Sequence, residues 1–289
     1  MKVGLSMIKK RIKIIALFLF GITILSCILI YEDRNLEVNT YKICSEDLPS
    51  EFDGFRIAHI SDLHNAEFGV DNSKLIAMIK EAEPDIIAIT GDIIDSRRTD
   101  IDIALAFIEE VIKIAPCYYV SGNHESRISE YDILKEKMIK VGVVVLENQT
   151  AEISHLKSKI KIAGISDPSF NSDYLLGDEN SVIESQLKKV TEPEDGFTVL
   201  LSHRPEFFEI YSDYNIDLVL SGHAHGGQFR LPFFGGVIAP GQKIFPKYDS
   251  GLFENGNTNM IVSRGIGNSI IPLRINNRPE IILIELQSA

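Results

Sequence analysis

The chain has 289 residues, of which 45% are apolar and 24% charged, an ordinary globular balance that excludes a disordered or low-complexity polymer. Its net charge of −12 is unevenly spread: residues 1–13 hold five Lys/Arg and no acid, leaving 24 basic against 41 acidic side chains, a net of −17, in the rest. So acidic a domain offers no electrostatic footprint for a nucleic-acid backbone, and three cysteines, at 27, 44 and 117, without finger spacing exclude a cysteine-built zinc site.

Residues 1–13 read as a basic cytoplasmic N-terminus. Ile14 to Ile30 carries no charge over 17 residues, which as a helix spans about 26 Å, close to a bilayer core. We expect residues 14–31 to be an uncleaved signal anchor rather than a cleaved signal peptide or a lipoprotein signal at Cys27. Lys9, Lys10, Arg11 and Lys13 just before it predict a single-pass protein of the cell membrane, with the N-terminus in the cytoplasm and the domain outside. Residues 32–40 read as a polar stalk and 41–289 as one domain, because no linker divides them.

Within the domain the pattern alternates. Strands are expected at Arg56 to Ile60, Asp85 to Thr90, Cys117 to Val120 and Val143 to Leu146, and helices at Ser73 to Ala82, Ile101 to Ile114 and Ile128 to Val141. This rhythm predicts an α/β layered fold. The second half is richer in strands: Glu152 to Ser154, Lys159 to Ile165, Thr198 to Ser202, Leu218 to Ser221, Asn259 to Ser263 and Glu280 to Leu286, with a helix over Asn180 to Lys189. A second sheet is therefore expected. Gly226 to Phe253, rich in Gly, Pro and aromatics, reads as loops, with Phe229, Phe233, Phe234 and Phe245 taken as loop core rather than a lipid-facing rim. Cys44 and Cys117 sit in apolar, strand-like runs and read as two buried free thiols.

The chemistry gathers at strand ends, where ligands bind in open α/β sheets. Asp62 and His64 are two apart, so an extended backbone would point both to one side, and His223 and His225 repeat that spacing. Asp92, Asn123 and His203 each follow a strand, and five of the seven histidines fall in these motifs. Oxygen and imidazole donors suit divalent first-row metals. Seven ligands exceed a single tetrahedral site and fit two metals sharing a bridging carboxylate.

The ordered set Asp62-x-His64, Gly91-Asp92, Gly122-Asn123-His124-Glu125, His203 and Gly222-His223-x-His225 resembles the calcineurin-like metallophosphoesterase superfamily. The flanks Arg56 to His64, Ser221 to Gln228, Ser263 to Gly267 and Pro279 to Ile281 resemble its bacterial membrane-anchored YkuE/YaeI type. That resemblance implies a four-layer α/β/β/α sandwich of two mixed β-sheets flanked by helices, preceded here by one transmembrane helix. It also implies two divalent metal ions, with Mn²⁺, Zn²⁺ and Fe²⁺/Fe³⁺ as candidates. Asp62, His64, Asp92 and His225 would hold one, and Asp92, Asn123, His203 and His223 the other, with Asp92 bridging. His124 matches the catalytic histidine and Asp95 the acid that orients it. Ser96 stands where the protein-phosphatase branch has an arginine clamp.

The implied reaction is attack of a metal-bridging hydroxide on phosphorus, with His124 assisting the leaving oxygen. Two dications against Asp62, Asp92 and hydroxide leave about +1 at the core, matched to a phosphodiester. The expected substrates are phosphodiesters of membrane lipids or cell-wall polymers. The alternatives are a phosphomonoesterase or pyrophosphatase acting on nucleotide-sugar lipids such as UDP-diacylglucosamine, and a non-catalytic phosphoryl-binding module. No feature points to a protein partner. Of the remaining polar residues, His59 reads as core, His155 as solvent-facing, Arg264 and Arg274 as carboxylate partners, and Gln228 and Glu125 as partners of the imidazoles.

Overall fold

The computed structural model describes residues 2–171, 178–191, 196–268 and 273–289, with side chains from Arg11 onward, so Lys2, Lys9 and Lys10 lie outside the described side chains. The first element is a continuous helix, α1 (Lys2–Arg34, 33 residues). Its segment Arg11–Arg34 is long and apolar enough to cross a membrane, and none of its most apolar stretch is covered by protein. A continuous 33-residue helix is about 50 Å long, well beyond the 26 Å read from its uncharged run.

The stalk expectation is corrected. Only Asn35 and Leu36 separate α1 from β1 (Glu37–Ser45), a strand that pairs in parallel with the last strand of the chain from Glu37↔Glu280 to Ser45↔Ser288. A polar, alternating edge strand looks like a stalk in sequence because only one of its faces is covered; Val38 and Cys44 are exposed, whereas Ile43 is buried. Cys44 is thus not a buried thiol. Cys117 is, and all three cysteines are free.

Two six-stranded sheets follow. The first contains β1, β2 (Arg56–Ile60), β3 (Ile86–Thr90), β4 (Cys117–Val120), β5 (Val144–Val145) and the C-terminal β14 (Glu280–Ser288), in the order β1-β14-β2-β3-β4-β5. The second contains β6 (Gln149–His155), β7 (Ser158–Gly164), β8 (Thr198–Leu201), β9 (Leu218–Ser221), β12 (Gly251–Asn255) and β13 (Thr258–Val262), in the order β12-β13-β9-β8-β7-β6. Both are mixed: β14 runs antiparallel to β2, and β12 and β6 run antiparallel to their neighbours, while the rest are parallel. The segment read as loops holds the small hairpin β10 (Arg230–Leu231) and β11 (Gly235–Gly236) as well as β12.

Three apolar cores make four layers. Helices α2 (Ser73–Glu81), α3 (Ile101–Val111) and α4 (Tyr131–Val141) cover one face of the first sheet through Leu75, Ile79, Ile108 and Leu134. The two sheets meet through Ile57, Val120, Ile162, Val199 and Ile284. Helices α5 (Glu179–Val190) and α6 (Phe208–Tyr211) close the second sheet with Ile183, Leu187 and Tyr211. Buried on both faces, the central strands read as unbroken apolar runs, Ile86-Ile87-Ala88-Ile89 being the clearest. The helices are delimited by local chemistry. Asp100 caps α3 by accepting from the N–H groups of Asp102 and Ile103, and Gly142 ends α4 at φ +107°.

Candidate metal centre

Five parallel strands end at one edge of the sandwich, and each hands over to a loop carrying candidate ligands. β2 leads to Asp62 and His64, β3 to Asp92, β4 to Asn123 and His124, β8 to His203, and β9 to His223 and His225. All eight are buried. The extended backbone expected at Asp62 and His64 is not what brings them together. Asp62, His64, Asp92, His223 and His225 have φ of +53°, +48°, +51°, +65° and +48°, so five of the seven candidate ligands lie in the left-handed region. Such a conformation costs a non-glycine residue about 1–3 kcal/mol and persists only where surrounding structure imposes it. Here it is imposed by cross-loop hydrogen bonds: Asp62 N–H to Gly91 O (3.0 Å), His64 N–H to Asp92 O (3.0 Å) and Gly267 N–H to Asp62 O (2.7 Å). Gly222 is needed because a Cβ there would collide with Ser61 Oγ and Asp62 Oδ2.

The side chains form two triads, Asp62–His64–His225 and Asp92–His203–His223, and a third group, His64–Asp92–His124, draws on both; the candidate ligand atoms of each lie within 4.8 Å of one another. Asp92 Oδ2 faces both, 3.3 Å from His203 Nε2 and 3.7 Å from His64 Nε2. Asp62 Oδ1 lies 3.4 Å from His225 Nε2 and 3.8 Å from His64 Nε2. Two ring-nitrogen pairs converge at 3.1 Å, His64 Nε2 with His225 Nε2 and His203 Nε2 with His223 Nδ1. Nδ1 of His203 donates to the Thr90 carbonyl at 2.7 Å, which turns its Nε2 inward. Asn123 Oδ1 is buried with no hydrogen-bond partner.

Converging lone pairs and carboxylates repel one another and are stabilised by cations between them, so this donor set fits the two ions expected. Protonation follows the same logic. Burial holds His64 and His225 down to about 3, keeping them in the neutral form that binds metal. Burial opposes charge on His203 too, but the adjacent Asp92 carboxylate pushes it up to about 10, the negative cluster drawing in a positive charge.

His124 stands beside the triads, its Nε2 4.0 Å from Asp92 Oδ2 and its ring edge-on to that of His64. The expected Asp95 partnership is corrected: Asp95 Oδ1 is 3.6 Å from His124 Nδ1, beyond hydrogen-bond range. The Asp95 carboxylate instead accepts from Arg97 N, Nε and Nη2 at 2.9–3.0 Å, and these bonds outweigh burial and hold it down at about 2. Ser96 takes the orienting role, donating its backbone N–H to His124 Nδ1 at 3.0 Å. With Nδ1 accepting, the ring's proton sits on Nε2, toward the triads.

Glu125 contacts no imidazole. Its carboxylate accepts from the backbone N–H groups of Gly122 (2.7 Å), Asp92 (2.9 Å), Ile93 (2.9 Å) and Ile94 (3.4 Å), clamping the β3 and β4 loops together. Gln228 donates to Leu273 O, and Arg274 donates to the carbonyls of Arg264 and Asn277 rather than to a carboxylate among the described residues. Arg264 does pair with carboxylates, those of Glu37 and Glu280. His59 is core, its Nε2 2.8 Å from Thr90 Oγ1, while His155 is half-buried, its ring against Phe52 and Phe55.

Sequence reasoning missed Arg204. It is buried beside His203, with Nε 2.6 Å from Asp167 Oδ2, Nη2 3.1 Å from Asp167 Oδ1, and Nη1 3.0 Å from His223 Nε2. Its position immediately after His203 was the available signal. Asp167, in a loop 37 residues away, carried none.

The calcineurin-like phosphoesterase family matches residues 55–227. An uncharacterised metallophosphoesterase of Bacillus subtilis (strain 168), YkuE, is 35% identical over 89% of this chain and 87% of its own. Phosphodiesterase YaeI of Escherichia coli (strain K12) is 29% identical over 80% of this chain and 82% of its own. The crystal structure of TT1561 of Thermus thermophilus shares the fold, with a TM-score of 0.50 and 15% identity over 73% of this chain and 89% of that one.

Proposed function

Because the chain belongs to the calcineurin-like phosphoesterase family and is a phosphoester hydrolase, we propose that it is a membrane-anchored, two-metal phosphodiesterase. Asp62, His64, Asp92 and His225 would hold one ion, and Asp92, Asn123, His203 and His223 the other. When bound, two divalent ions supply an activated water and neutralise charge on the phosphoryl oxygens. The chain's own part begins with Asp92, whose Oδ2 faces both triads and sets their separation. His124 presents its Nε2–H to the same space and would donate to a phosphoryl or leaving oxygen.

The observation that carries the diester reading is the capture of Arg97 by Asp95. A monoester dianion gains from an arginine beside the metals; Ser96 stands in that place, and Arg97, the next residue, is held by the Asp95 carboxylate, which it shares with Arg98. The phosphodiesterase relative supports the same reading. The basic residues before Ile14 support a cytoplasmic N-terminus and a catalytic domain outside the membrane, where lipid headgroups and wall polymers offer phosphodiesters.

The test compares kcat/KM for a matched aryl diester and aryl monoester on the metal-loaded protein. A diester preference is expected. A monoester advantage of about tenfold, worth about 1.4 kcal/mol in the transition state, overturns it. Orientation is tested with protease added outside wall-stripped cells, which should reach the domain before lysis.

A further inference from the structure

The candidate metal centre lies at the edge of the first sheet where α1 ends. Strand β14 runs antiparallel to β2, with Ile282 opposite His59, so Glu280 lies past the carboxyl end of β2, where Asp62 and His64 stand. Glu37, which directly follows the short connector of Asn35 and Leu36, pairs with Glu280. Arg264 bonds both glutamates, and the neighbouring Gly265 lies against Asp62. The last turn of α1 is tied to the same region: Asn268 bonds Asp33, and Arg278 bonds the Asn35 carbonyl at 3.2 Å with its guanidinium over the Tyr31 ring.

Two short hairpins project from this edge. The first, β10–β11, turns through Pro232-Phe233-Phe234, and the second is joined by the Ile238↔Ile244 bridge. Both adjoin the triads: Val237 N–H bonds the Gly227 carbonyl two residues after His225, and a Cβ at Gly241 would lie 3.6 Å from His223 Nε2. Of the four aromatics expected to pack as loop core, Phe229 is half-buried and the other three are exposed. Phe233 is 105% exposed, Phe234 74% and Phe245 55%, with Ile244 at 68% and Leu231 at 47% beside them. The hairpin base is linked to the anchor's end through Ile275, whose carbonyl accepts from Arg230 N–H. Ile275 is three residues from Arg278, at most about 11 Å of extended chain. The two turns are linked at their bases, Val237 N–H bonding the Phe229 carbonyl and Phe245 N–H the Val237 carbonyl, and exposed apolar side chains gathered on adjoining turns mark a binding surface. One this close to the end of a membrane-length helix has a bilayer within reach, and Phe and aliphatic side chains bury favourably at the headgroup–acyl boundary.

We propose that Phe233, Phe234, Ile244 and Phe245 form a second membrane contact, seating the mouth of the metal centre on the bilayer that holds α1. The domain's net charge of −17 outside residues 1–13 makes attraction to anionic headgroups a poor alternative, so the contact is apolar. It requires α1 to be the anchor and is independent of which phosphoester is cleaved.

The chain contains no tryptophan, so a single introduced one reports its own surroundings. Phe233→Trp and Ile244→Trp are made in the full chain, reconstituted in phosphatidylcholine–phosphatidylglycerol vesicles with the domain outside. Phe18→Trp, in α1, is the inserted control. Leu156→Trp, on the β6–β7 turn at the opposite end of the sandwich and 80% exposed, is the aqueous control. With lipids brominated on their acyl chains, Phe233→Trp and Ile244→Trp should lose fluorescence as Phe18→Trp does and be shielded from external iodide. Phe18→Trp quenched by bromine while both hairpin variants respond only to iodide, like Leu156→Trp, overturns the contact. Failure of Phe18→Trp as well overturns the contact and the anchor together.

Discussion

The backbone N–H of Ser96 donates to Nδ1 of His124 at 3.0 Å, in the place expected of the Asp95 carboxylate. The tautomer that puts a proton on His124 Nε2 therefore depends on the main chain. His124→Ala should retain both metals and lose about 10²–10⁴ in kcat, the usual reach of general acid catalysis. Asp95→Asn keeps the Ser96 N–H and should cost far less. Parallel kcat and metal-content measurements decide it: equal losses in the two variants would return the orienting role to Asp95, and loss of metal from His124→Ala would make that residue a ligand.

Asp92 is the carboxylate that faces both triads. Chelation should abolish activity, and Mn²⁺ or Zn²⁺ should restore it. Asp92→Ala should empty both sites, whereas Asp62→Ala should spare the Asp92–His203–His223 triad from direct loss. Elemental analysis of each purified variant reads this out. A fully active preparation with metal content near zero would refute the two-metal centre.

Glu125 serves four backbone donors, and glutamine at that position can serve them with only one oxygen while turning an NH₂ toward the rest. Each buried donor left without a partner costs about 1–3 kcal/mol. Glu125→Gln should thus lower the melting temperature and weaken metal binding by about 10–100-fold, as loss of a ligand-supporting contact does. Calorimetric metal titration and thermal melts check both effects; wild-type affinity in the variant would show that the loops hold Asp92 without the clamp.

Acid should loosen the Asp167–Arg204 pair. Burial raises the Asp167 carboxyl, but the Arg204 guanidinium outweighs it and holds it below the usual carboxylate range. A carboxyl depressed in the folded state adds stability that is present above its unfolded value, about 3.9, and disappears as pH falls below it. The melting temperature should therefore drop as pH is lowered from 5 toward the folded-state value. Arg204→Met strands the buried carboxylate and should cost about 3–5 kcal/mol near neutral pH, while adding Asp167→Leu should recover much of it. A single variant as stable as wild type would mean the pair contributes nothing.

How much of this was legible depended on range. The five ligand motifs stood out because each follows a strand whose side chains are buried on both faces, and an apolar run ending in Asp, Asn or His is visible locally. The layered α/β alternation was legible for the same reason. The motifs' convergence was anticipated, but not the way the backbone achieves it: left-handed turns at Asp62, His64, Asp92, His223 and His225 are imposed by hydrogen bonds between loops far apart in sequence.

Edges and partners were where local reading failed. β1 looked like a stalk because an edge strand needs only one apolar face, and its partner β14 lies at the other end of the chain. Asp95 looked like the partner of His124 until Arg97, two residues on, proved to hold its carboxylate. The aromatics of residues 229–245 looked like loop core because composition does not say which way a turn faces. Residue identity and spacing determine which chemistry the chain carries and which segments can be strands, helices or a membrane span, since those are properties of a few consecutive residues. Which donor satisfies which acceptor, and that α1 ends beside the candidate metal centre, are decided only when strands distant in sequence pair, because register across a sheet sets positions that no local pattern encodes.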